Sequence, residues 1–100
     1  MYRPLPKGLN IMKSNIDGMG LFATMDIPSD YDFGISHVPN SKFENGYIRT
    51  PLGGFINHSD NPNCKVVTDV DGNYRLVSTQ FLSIGDEITL KYNLYKIKWT

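Results

Sequence analysis

Two short stretches and one tyrosine hold the groups in this chain best suited to chemistry. The denser stretch is Gly53-Gly54-Phe55-Ile56-Asn57-His58-Ser59-Asp60-Asn61-Pro62-Asn63-Cys64. It is too polar for a core strand. Its Asn, Ser and Asp side chains can bond nearby backbone and build turns, and Pro62 fixes the exit. Gly53 and Gly54 loosen the backbone ahead of it, and Phe55-Ile56 anchors it. The composition predicts an ordered polar loop, the kind of segment that carries function. The second stretch is Gly18-Met19-Gly20. Its glycines suit a hairpin turn that needs positive φ, and bare backbone also lets a ligand approach closely. Tyr92 ends an alternating run, where a tyrosine is commonly a core ring with a satisfied hydroxyl.

Two chemistries are excluded. His58 has no second histidine at ligand spacing, since His37 lies on another segment, and Cys64 is the single cysteine, so no metal site is expected. Adjacent His58 and Ser59 rarely meet as base and nucleophile, and no nucleophile-elbow pattern surrounds Ser59.

The elements that must position these residues are short. Alternation predicts strands over 9–13, 21–24 and 33–38, with turns at 14–20 and 26–30. The stretch 39–50 opens as a loop at Pro39-Asn40-Ser41 and carries the tight-turn signal Asn45-Gly46. Tyr47-Ile48-Arg49 reads as a brief strand or the entry to a short helical turn. Cys64-Lys65-Val66-Val67-Thr68 has the β-branched content of a strand. Asp71-Gly72 marks a hairpin returning through 74–80. Residues 81–86 turn, and 87–92 form the last strand. No apolar helical period persists, so the class is mostly β.

With 100 residues the chain is one domain, 1–100, with a small core. Ten acidic and ten basic residues balance, so no bulk field draws it to nucleic acid or an anionic membrane. There is no apolar run of membrane-spanning length and no signal-peptide core at the N-terminus. The lone cysteine fits a reducing interior. The expectation is a soluble intracellular protein with no direct nucleic-acid or membrane partner.

Three motifs together resemble one family. Phe55-Ile56-Asn57-His58-Ser59-x-x-Pro62-Asn63 is similar to the central motif of SET domains, the S-adenosylmethionine-dependent protein lysine methyltransferases. Gly18-Met19-Gly20-Leu21-Phe22-Ala23 resembles their first motif and Ile84-Gly85-Asp86-Glu87-Ile88-Thr89-Leu90-Lys91-Tyr92 their last, in the family's order. The resemblance runs from about Ile11 to Tyr92. It implies a SET-domain-like fold of small curved sheets, with the C-terminal strand region passing beside the central motif in a knot-like arrangement.

It also implies site residues. Gly18, Met19, Gly20, Asn57 and His58 match positions that bind S-adenosylmethionine, with Trp99 a further candidate to cover the adenine ring or close the lysine channel. Tyr92 matches the tyrosine at which methyl donor and lysine amine meet. Tyr47 and Tyr95 are candidates for substrate contact. Ser59, Asn63 and Glu87 are expected to be structural. The implied substrate is a protein or peptide lysine. The peptide side departs from the family: Gly54 stands where Arg is common, Lys91 where an acid is common, strand 33–38 lacks a Gly-Glu pair, and no cysteine cluster follows Tyr92. A homodimer would complete a missing substrate groove. The same departures admit an alternative, a non-enzymatic SET-like protein-interaction module.

Overall fold

The computed structural model describes residues 5–39, 47–50 and 52–91, with the side chain of Tyr47 outside the description. Eight strands follow in chain order: β1 (Leu9–Lys13), β2 (Met19–Ala23), β3 (Asp32–Pro39), β4 (Tyr47–Arg49), β5 (Asn57–His58), β6 (Cys64–Thr68), β7 (Tyr74–Ser78) and β8 (Thr89–Leu90). The single helical piece among the described residues is a 3-10 turn, Gly53–Phe55. The mostly β expectation therefore holds.

The strands form three small sheets. β1 and β2 make an antiparallel hairpin, β4-β3-β7-β6 make the largest sheet, and β5 pairs with β8. The β5–β8 pairing is parallel, with Asn57 opposite Thr89 and His58 opposite Leu90. It sets the central motif beside the last one. Segment 85–88 lies along β2, where Ala23 N–H donates to Asp86 O, Gly85 N–H to Ala23 O and Ile88 N–H to Leu21 O, each at 2.8 Å. These bonds bring all three motifs to one place.

The core gathers Leu9, Leu21, Ile27, Phe33, Ile56, Leu76, Leu82, Ile88 and Leu90 from every sheet. Non-directional burial of these side chains is what holds such short strands together, because two-residue and five-residue strands gain little from their ladders alone. Cys64 is buried in this core, and burial pushes its thiol up to about 12. That makes it an inert apolar residue, without the thiolate character a reactive cysteine needs.

Some boundaries differ from the sequence reading. β2 begins at Met19 because Lys13 pairs with Met19 across a loop closed by Ser14 N–H to Gly18 O (2.8 Å). Gly20 is therefore a strand residue, and of the two glycines Gly18 alone has positive φ, +46°. β3 does not alternate strictly. Register shifts between Asp32 and Gly34 and between Ile35 and His37 turn Ser36 and His37 inward together, as an extra unpaired residue does in a bulge. The last strand is confined to Thr89–Leu90, because Glu87 already bridges to Phe22 of β2. No described helix is long and apolar enough to cross a membrane.

Candidate active site

The central segment is seated at its start by Gly53. A Cβ there would meet the Ser36 carbonyl and lie 3.2 Å from His37 Cε1, so only glycine lets the 3-10 turn pack on β3. His37 is buried beneath it, edge-on to Tyr74, with Nδ1 2.8 Å from Ser36 Oγ. Burial, with Arg49 nearby, lowers its pKa from 6.5 to about 4. His37 is thus neutral at physiological pH and belongs to the scaffold.

From that anchor the chain runs through β5. Asn57 points its amide into the β1–β2 hairpin. Its Nδ2 donates toward Glu87 Oε2 (2.8 Å), Ser14 Oγ (3.0 Å), Asp17 O (3.1 Å) and Met19 O (3.3 Å). Ser14 Oγ donates to the Glu87 carboxylate, at 2.8 and 2.9 Å from its two oxygens. Ser14 also accepts from Ile16 N–H at 2.8 Å. One network therefore ties the Gly18-Met19-Gly20 hairpin, the central motif and the last motif together. Glu87 is structural in this sense, as expected.

The side of Gly20 is part of the same arrangement. A Cβ there would run into Glu87 Oε2 and stand 3.2 Å from Asn57 Nδ2. The missing side chain thus makes room for the carboxylate. Gly18, by contrast, faces open space, and Met19 is 47% exposed.

Beyond Asn57 the loop is braced by its own polar groups. Asn63 Nδ2 donates to Glu87 O (2.7 Å), and Asn63 Oδ1 accepts from Thr89 N–H (2.9 Å). Ser59 Oγ accepts from Asn61 N–H (3.0 Å), and Ser59 N–H donates to Leu90 O (2.9 Å). Both residues therefore brace the loop. His58 is half-exposed on β5, its Nε2 3.2 Å from Asp60 Oδ1. No group of three or more His, Cys, Asp or Glu able to hold a metal ion occurs among the described residues.

The structure brings Gly18, Met19, Gly20, Asn57 and His58 to one region. Tyr92, Tyr95 and Trp99 lie outside the described residues, as does the Tyr47 side chain, although Tyr47 itself opens β4. Sequence reasoning missed Ser14. Its position at the head of a turn is a local signal, since serine hydroxyls bond backbone two residues on, but nothing local reveals Glu87, 73 positions away.

Residues 32–93 match the SET domain family, which spans both the central and the last motif, Tyr92 included. The chain belongs to the SET-domain family. Its fold is similar to that of a Plasmodium falciparum protein assigned as a histone methyltransferase: TM-score 0.69 and 22% identity over 88% of this chain and 95% of that one. It is also similar to the methyltransferase domain of human PR domain-containing protein 2, with TM-score 0.66 and 14% identity over 85% of this chain and 76% of that one. The β1–β2 hairpin precedes the family match. No curated protein sequence matches the chain.

Proposed function

We propose that this chain transfers a methyl group from S-adenosylmethionine to a protein or peptide lysine. The observation that carries the reading is Asn57. Its Nδ2 is committed to the hairpin and Glu87, while its Oδ1 accepts no hydrogen bond among the described residues. A half-buried acceptor left open beside the exposed backbone of Gly18 and Met19 is suited to a ligand with an ammonium group. His58, next along β5, offers further polar contact. These residues fit the cofactor.

When bound, S-adenosylmethionine supplies an electrophilic methyl group. The chain has to place a neutral lysine amine in line with it. Freeing the lone pair of an ordinary lysine near pH 7 costs roughly 4 to 5 kcal/mol, and an apolar channel reduces that by disfavouring the charged form. Tyr92, within the family match, is assigned to orient the amine by its hydroxyl. Alignment supplies much of the remaining acceleration.

The test is calorimetric titration with S-adenosylmethionine and S-adenosylhomocysteine. Saturable binding of both, weakened by Asn57→Ala, is the expected result. With the site established, Tyr92→Phe suppresses methyl transfer to a lysine-containing protein substrate and leaves cofactor binding largely intact. Folded protein that binds neither ligand at millimolar concentration overturns the stand-alone enzyme and leaves the protein-interaction module as the better reading.

A further inference from the structure

The crowding of acceptors around one amide has a directional consequence. An asparagine Nδ2 carries two protons, and here four oxygens compete for them at 2.8 to 3.3 Å. Two are backbone carbonyls, Asp17 O and Met19 O, which cannot donate. The third belongs to the Glu87 carboxylate, an acceptor when ionised. The fourth, Ser14 Oγ, directs its proton to Glu87 and accepts from Ile16 N–H. Ser14 is 8% exposed, so its hydroxyl has little freedom to turn elsewhere. Rotating the Asn57 amide by half a turn would set Oδ1 against this whole set of oxygens. The amide therefore has one favoured orientation, with nitrogen inward and oxygen outward. Gly20 contributes by leaving the carboxylate its place.

We infer that Ser14 and Glu87 are positioning residues that hold the Asn57 amide with its oxygen outward, as the acceptor for the ammonium group of the cofactor's amino-acid part. The inference rests on the proposed cofactor reading and adds what fixes the polarity of its key contact. Neither residue touches the cofactor; both act through Asn57.

The polarity gives a test that a merely structural role would not pass. S-adenosylhomocysteine carries the ammonium group, whereas 5′-methylthioadenosine lacks the whole amino-acid part. Glu87→Gln is nearly isosteric, but its amide can donate to Oδ1 and so removes the preference. By calorimetry, Glu87→Gln weakens S-adenosylhomocysteine about tenfold, the scale of one hydrogen bond in which a charged group takes part. Binding of 5′-methylthioadenosine changes by less than about twofold. Ser14→Ala acts in the same direction by roughly threefold to fivefold, one neutral contact fewer. Thermal melts show whether each variant is folded, and Ser14→Ala decides the matter if Glu87→Gln is not.

Equal weakening of both ligands in the folded variants marks a general loosening of the site and overturns the inference, as does unchanged binding of S-adenosylhomocysteine. Wild-type protein that binds the two ligands equally well overturns the inference alone and leaves the cofactor reading standing. Wild-type protein that binds neither overturns both.

Discussion

Gly20→Ala probes the network at its tightest point. The added methyl occupies the place of Glu87 Oε2, so the carboxylate must swing away. It then loses the proton from Ser14 Oγ and the one from Asn57 Nδ2. Hydrogen bonds to a charged group are worth about 1.5 to 3 kcal/mol each; the lower value suits a half-buried site, giving about 3 kcal/mol for the pair. Against this, replacing glycine in a strand by alanine gains about 0.5 to 1 kcal/mol. The net expectation is a loss of about 2 to 2.5 kcal/mol, or roughly 10 °C in Tm for a chain of this size. In a Glu87→Ala background the obstacle and both bonds are already gone, so Gly20→Ala keeps only its gain of about 0.5 to 1 kcal/mol. Urea denaturation of the wild type, both single variants and the double variant measures the coupling. A coupling near 3 kcal/mol, about the worth of the two lost bonds, stands well above the roughly 0.3 to 0.5 kcal/mol scatter of independent sites. Additive effects would refute the claim that Gly20 is bare because of Glu87.

Three further outcomes follow from single residues. His37 is held neutral in the fold, with its pKa lowered from 6.5 to about 4; the unfolded chain binds the proton first, so stability is full above about pH 6.5 and declines as pH falls toward 4, by at most about 3 kcal/mol. Denaturation midpoints across that range should show the loss, and a His37→Gln variant should lack this contribution. Asn63→Ala strands Thr89 N–H and Glu87 O and costs about 2 to 3 kcal/mol, whereas Asn63→Asp, which still accepts from Thr89, recovers roughly half of that in the same assay. Cys64, buried with its thiol pushed up to about 12, is not alkylated by iodoacetamide near pH 8 in native protein but reacts once urea unfolds it.

The elements that local pattern determines were legible in the sequence. β1 and β6 have the bounds their alternation and β-branched content indicate. The hairpin at Asp71-Gly72 is present, with Gly72 at φ +85°. Asp69 anchors it, its Oδ1 accepting from the Asp71 and Asn73 N–H groups. β5 was not legible, because two residues carry no period and their partner strand lies far along the chain. The motif residues Asn57, Glu87 and Gly20 were recognisable by family resemblance. Their mutual contact was not, since a pattern of residue types does not say which glycine bends the chain and which makes room for a distant carboxylate. The bulges of β3 likewise depend on packing against β7 and the 3-10 turn, and simple alternation hides them.

The 73-position span between Ser14 and Glu87 also bears on when the site comes into being. The β1–β2 and β6–β7 hairpins close short loops and are accessible early in folding, whereas contacts across long spans must repay a larger loop-closure entropy and come later. The parallel β5–β8 pair and the Ser14–Asn57–Glu87 network are of the second kind. A growing chain on the ribosome therefore lacks this network until residue 87 has emerged and folded back onto the first hairpin. A ligand held there stabilises the finished fold as a whole, by about 2.7 kcal/mol at a hundred times its Kd, and gives nothing to a half-made one. A ligand of this site present during synthesis would in that way raise the yield of completed molecules.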